Sequence, residues 1–118
     1  MTEVRVIARS VARKGKEDQL RALLQGMLVP TRGEQGCKSY ELYESDSTGR
    51  FYFDETWESH AALDKHIATP HFRRLEQTIG DLLDEPFEVN ILRSILTDAV
   101  PETLTTADSS SVSPRGTK

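Results

Sequence analysis

Residues 50–72 read RFYFDETWESHAALDKHIATPHF. From Arg50 to Trp57 the side chains alternate, with Phe51, Phe53, Glu55 and Trp57 on one side and Tyr52, Asp54 and Thr56 on the other, which predicts a strand. Ser59 is then placed to cap a short helix carrying Ala62, Leu63 and Ile67. Thr69 caps a second helix with Pro70 at its first position, where a missing N–H costs nothing. A strand followed by a crossover broken into two helices is therefore expected. Phe72, Leu75, Ile79, Leu82 and Leu83 form the buried stripe of the second helix, Pro86 stops it, and FEVNILRSIL (87–96) is the last strand.

Upstream, VRVIARSVA (4–12) alternates too, with Val4, Val6, Ala8 and Ser10 opposed to Arg5, Ile7, Arg9 and Val11. From Glu17, apolar residues at Leu20, Leu23, Leu24, Met27 and Leu28 predict one amphipathic helix, ended by Pro30 and the pair Gly33 and Gly36. SYELYES (39–45) is a further strand, joined to the one after it by the turn DSTG (46–49). The order β-α-β-β-α-β specifies an α+β, ferredoxin-like split βαβ fold, an antiparallel sheet with helices on one face. The uncovered face is expected to be partly apolar, since Tyr40 and Leu42 oppose Tyr43, and Phe51 and Phe53 oppose Tyr52. A face of that kind predicts a homodimer packed sheet to sheet. The folded domain is expected over 1–96. From Thr97 the Ser/Thr-rich text TDAVPETLTTADSSSVSPRGTK (97–118) predicts a disordered tail.

With 118 residues the chain has room for one core. Its charge of 15 − 19 = −4 and scattered cations argue against a nucleic-acid partner. No apolar run is long enough to span a membrane, and MTEVRVIARS lacks the apolar core of a signal peptide. Cys37 is the only cysteine, so no internal disulfide forms; a cytoplasmic location is expected. Following Gly36 at the start of a strand, Cys37 reads as a small buried residue rather than a nucleophile.

The quoted segment also holds the only Trp, Trp57, and all three histidines, His60, His66 and His71. On one continuous helix His60 and His71 would lie about 16 Å apart, and His66 about 120° round from His60. No pair has the i, i+3 or i, i+4 spacing of helical metal ligands, so no metal site is expected. A pocket is the better expectation: Glu55 stands in an aromatic row, and His66 sits at the edge of an apolar helix stripe. The plain alternatives are core packing for Trp57, an ion pair for Glu55 and a satisfied boundary position for His66.

GEQGCKSYELY (33–43) followed by FDETWESHAALDKHIATPHF (53–72) resembles the antibiotic biosynthesis monooxygenase family, especially its quinol monooxygenase-like branch. The resemblance runs over 4–96, with Lys14-Gly15-Lys16 in place of the family's Pro-Gly-Lys turn. It implies a dimeric α+β barrel with a pocket between sheet and helices, and oxygenation with no flavin, haem or metal cofactor. The haem-degrading branch uses an Asn, a Trp and a haem-ligating His where this chain has Ala8, His66 and Glu76, so haem degradation is not expected.

That chemistry suits these residue types. An ionised phenol can give an electron to dioxygen, and needs a base, a donor to anionic charge and a dry pocket. His66 is the expected base, with Glu55 orienting or accepting. Trp57, Phe53 and Phe72 are expected to wall a flat aromatic ligand, and Arg9 to stabilise the anion if its strand face turns inward. The expected function is a cofactor-independent monooxygenase that oxidises a quinol or polyphenol with dioxygen. The alternatives are an isomerase or lyase on a small oxygenated metabolite, and a non-catalytic barrel that binds an aromatic ligand.

Overall fold

The computed structural model describes residues 2–95. The elements are β1 (Val4–Val11), α1 (Glu17–Gln25), α2 (Leu28–Arg32), β2 (Cys37–Glu44), β3 (Arg50–Trp57), α3 (His60–Ile67), α4 (Pro70–Ile79), a 3₁₀ turn (Gly80–Leu82) and β4 (Glu88–Leu92). The sheet order is β2-β3-β1-β4 with every neighbouring pair antiparallel. This is the ferredoxin-like plan, and within one chain the sheet stays open. The expected tail from Thr97 lies outside the described residues.

Register decides which side chains meet the helices. Val4, Val6, Ala8 and Ser10 of β1 pair with Trp57, Glu55, Phe53 and Phe51 of β3, and all eight are buried. Leu20, Leu24 and Met27 from the first crossover and Leu63, Leu75 and Ile79 from the second complete the core. In β2 the pairing slips between Cys37 and Ser39, an irregularity that inserts Lys38. Because of that extra residue, Tyr40 rather than Ser39 stands opposite Glu55.

The two capped helices form as expected. Ser59 Oγ accepts from the Ala62 N–H at 3.2 Å, and Thr69 Oγ1 accepts from the Phe72 N–H at 3.2 Å. The first crossover differs from expectation. α1 ends at Gln25, a short link at Gly26–Met27 follows, and α2 starts at Leu28. Pro30 does not stop the helix but sits in the first turn of α2, where its nitrogen has no intrahelical acceptor to serve.

Gly36 fixes the entry to β2. Its φ is +92°, and a Cβ built on it would lie 2.6 Å from the Ala62 Cβ of α3. Gly36→Ala is expected to destabilise the fold by roughly 2 kcal/mol, since the left-handed backbone alone costs an L-residue about 1–2 kcal/mol. Denaturant unfolding of the two proteins checks this; equal midpoints would show that the loop relaxes freely.

The outer face of the sheet is mixed. Arg5 forms a two-pronged ion pair with Asp54 at 2.7 and 2.9 Å, while Ile7 and Tyr52 are half-buried and Tyr43 and Leu92 exposed.

Candidate active site

A cavity of about 230 Å³ lies between the inner face of the sheet and the second crossover. Val6, Ala8 and Phe53 form its floor, Leu63, Phe72 and Leu75 its helical wall, and Val89 and Ile91 its rim on the edge strand β4. Among the described residues, only Tyr40, Glu55, His66 and Glu76 bring polar side chains to the lining. An apolar cavity of roughly 150 Å³ already admits a benzene ring, so a one- or two-ring molecule fits here.

Glu55 is 5% exposed and its Oε1 accepts from Trp57 Nε1 at 2.9 Å. Burial raises its pKa from the usual 4.5 to about 7, against the opposing pull of the Trp57 hydrogen bond. Among the described residues no cation lies within ion-pair distance of it. Tyr40, its cross-strand neighbour, stacks on Phe53 with ring centroids 4.8 Å apart, and burial pushes its phenol well above the usual range.

His66 is 2% exposed and held on all sides. Its ring centroid lies 4.6 Å from that of Trp57 and 5.1 Å from that of Phe72. Nδ1 lies 2.8 Å from Oε2 of Glu34, a residue in the α2–β2 connection. With Nδ1 donating to the Glu34 oxygen, a neutral imidazole leaves Nε2 as an acceptor. Burial lowers the pKa of His66, and Glu34 opposes that shift. The same Glu34 oxygen lies 2.6 Å from His71 Nε2.

Thr69 sets the relation between the two histidines. Its hydroxyl donates to the His66 carbonyl at 2.7 Å and accepts from the Phe72 N–H, so α3 and α4 are pinned at one angle. The continuous helix on which the histidines appear unrelated is therefore absent. His66 and His71 converge on one carboxylate across the break, whereas His60 is exposed.

The expected site residues are not all brought together. His66, Glu55, Phe53 and Phe72 line the cavity. Trp57 does not: fully buried, it stands behind the wall, donating to Glu55 and packing on His66. Arg9 also lies elsewhere. The parity that turns Val6 and Ala8 inward turns Arg9 to the outer face, where it pairs with Glu85 at 3.0 Å and Glu88 at 3.5 Å. Cys37 is half-buried with a thiol pKa pushed up to about 11, chiefly by burial, so it is no nucleophile at neutral pH. Glu34 and Tyr40 are the functional candidates that sequence reasoning missed. Both lie in the stretch 33–43, but neither has a periodic or spacing signal toward His66. Ala8 and Glu76, the positions compared with the haem-degrading branch, line the same cavity as His66.

Residues 3–78 match the family model described as antibiotic biosynthesis monooxygenase. The chain belongs to this family. A Mycobacterium tuberculosis relative named "Putative monooxygenase Rv0793" is 44% identical over 89 residues, covering 75% of this chain and 88% of the relative. The solved structure of Rv0793 superposes with a TM-score of 0.76 at 41% identity, covering 84% of this chain and all of that one (100%). PA3566 from Pseudomonas aeruginosa superposes at 0.75 with 30% identity, over 81% of this chain and 97% of that one. This family member is thus an α+β domain with a monooxygenase-like role. No helix among its described residues is long and apolar enough to cross a membrane.

Proposed function

We propose that this chain is a monooxygenase that oxidises a small hydroquinone or polyphenol with dioxygen, drawing all electrons from the substrate and none from a cofactor. The observation that carries the proposal is the cavity wall itself. An imidazole with Nδ1 pinned by Glu34 and a buried carboxyl of pKa about 7 line the same largely apolar chamber.

In this scheme Nε2 of His66 takes the phenolic proton, and the resulting phenolate passes one electron to dioxygen. Recombination forms a C–O bond and a peroxide on the ring carbon. Loss of the ring C–H proton to a base then breaks the O–O bond, with the Glu55 carboxyl protonating the departing hydroxide. Hydroquinone and dioxygen give hydroxyquinone and water: one oxygen atom enters the product and the other leaves as water. Phe53 and Phe72 hold the ring, and the dry lining keeps the anion from water.

Oxygen uptake on mixing with hydroquinones tests the proposal. One dioxygen consumed per quinol is expected; binding without uptake would favour a non-catalytic barrel. A second reading, an isomerase or lyase, is favoured by the same pair, because a carboxylic acid and an imidazole base suffice for proton shuttling. Substrate proton exchange under nitrogen is its distinguishing result.

The mixed outer face supports a homodimer packed sheet to sheet, which would close two open sheets into a barrel. Sedimentation equilibrium at micromolar concentration is expected to give the mass of two chains. The mass of one chain, with a folded spectrum, would remove the dimer.

A further inference from the structure

We propose that Glu34, His66 and His71 form a binding site for a divalent transition-metal ion of the zinc type, set behind the cavity on the far side of the His66 ring. Glu34 and His71 do not line the cavity, so the site is separate from the chamber that holds the substrate. One ligand atom from each residue lies within 4.8 Å of the others. The two contacts to Glu34 Oε2, at 2.8 and 2.6 Å, already aim both imidazoles at one point.

The geometry asks for small movements only. Zinc holds imidazole nitrogen at about 2.0–2.1 Å and carboxylate oxygen at about 2.0–2.2 Å, which places tetrahedral ligands about 3.3 Å apart. The Glu34 contacts must open by a few tenths of an ångström, and His71 must swing by about 1.5 Å at most. His66 is packed between Trp57 and Phe72, whereas His71, in the first turn of α4 with 17% of its side chain exposed, has the more open surroundings. The Thr69 hydrogen bonds fix the chain between the two ligands. Two imidazoles and one carboxylate select zinc, cobalt or iron(II) over magnesium and calcium, and three protein ligands leave a coordination position for water.

Metal binding would change the protonation of His66. The metal takes Nδ1, so a neutral imidazole must carry its hydrogen on Nε2. Nε2 is then a donor and can no longer remove a phenolic proton. Binding does not rest on the monooxygenase reading, but this inhibition does.

The test is titration of the chelator-stripped full chain with cobalt(II) and then zinc(II). One cobalt per chain is expected, with visible absorption bands that zinc abolishes by displacement. His71→Gln and Glu34→Gln should each weaken binding about 100-fold, at the upper end of losses seen even for outer-shell partners of metal ligands. Absence of saturable binding, or binding in both variants as tight as in the wild type, would overturn the site. Imidazole ¹⁵N NMR of the wild type gives the answer even if a variant unfolds. Zinc should move the His66 Nδ1 resonance and place a hydrogen on Nε2, and no change at either nitrogen overturns the site. Zinc that binds as described is also expected to slow quinol turnover at least tenfold. Binding with unchanged turnover would support the metal site and remove the base role of His66.

Discussion

Removing the His66 imidazole is expected to cut quinol turnover by a factor on the order of 10² to 10⁴, the range for a lost general base. His66→Ala is the blunt form of the experiment. The ring is fully buried, packed on Trp57 and Phe72 and bonded to Glu34, so its loss also costs stability: the packing is lost and Glu34 Oε2 keeps only its contact to His71. His66→Asn is the cleaner variant, because its side-chain amide can still donate to Glu34 from near the Nδ1 position but offers no base to the cavity. The pH profile separates chemistry from structure. Wild-type rate should rise through a pKa below the usual 6.5 of histidine, since burial lowers that of His66, and fall as the Glu55 carboxyl ionises near 7. His66→Asn should lose the rising limb. A folded variant with near-normal turnover and an unchanged profile would make His66 a packing residue.

Glu55→Gln carries the second large effect, on stability. The folded Glu55 holds its proton up to about pH 7 where the unfolded chain releases it near 4.5. Between those values the folded state binds more protons, so the contribution of Glu55 to stability is complete below pH 4.5 and is lost as pH rises through 7. The neutral amide keeps the volume and can accept from Trp57, but does not titrate. Stability of Glu55→Gln relative to wild type should therefore increase by about 3 kcal/mol from pH 4.5 to above 7. His66, with its lowered pKa, acts in the opposite direction, adding stability as pH rises toward 6.5. The comparison between variant and wild type cancels that contribution. Parallel stability curves for the two proteins would show that Glu55 is ionised in the fold. If Glu55 is the acid, the same variant should also lose the falling limb of the rate profile.

Much of this architecture is legible in local signals. Alternation in 50–57 places Glu55 with Phe51, Phe53 and Trp57, and the Ser59 and Thr69–Pro70 caps fix where the crossover breaks. What is not legible is long-range or depends on which side of a two-sided strand meets the helices. Glu34 reaches His66 across 32 residues of sequence, and no spacing rule connects a loop carboxylate to a helix imidazole. The parity of β1 separates Arg9 from Val6 and Ala8, but only the packed helices show which set faces the cavity. The spacing of His66 and His71 misleads because a capped break, not a continuous helix, lies between them. The link at Gly26 is hidden because the stripe from Leu20 to Leu28 continues through it. Trp57 has the right parity for the cavity, yet its indole is spent on Glu55.

The most direct measurement is reaction of the chelator-stripped protein with a hydroquinone under ¹⁸O₂, followed by mass spectrometry of the product. One ¹⁸O atom in the hydroxyquinone, at a rate that chelation leaves unchanged or increases and that His66→Asn lowers on the order of 10²- to 10⁴-fold, is the predicted result. Hydroxyquinone carrying oxygen from water alone, or turnover that appears only when metal is restored, would contradict a metal-independent oxygenase built on His66.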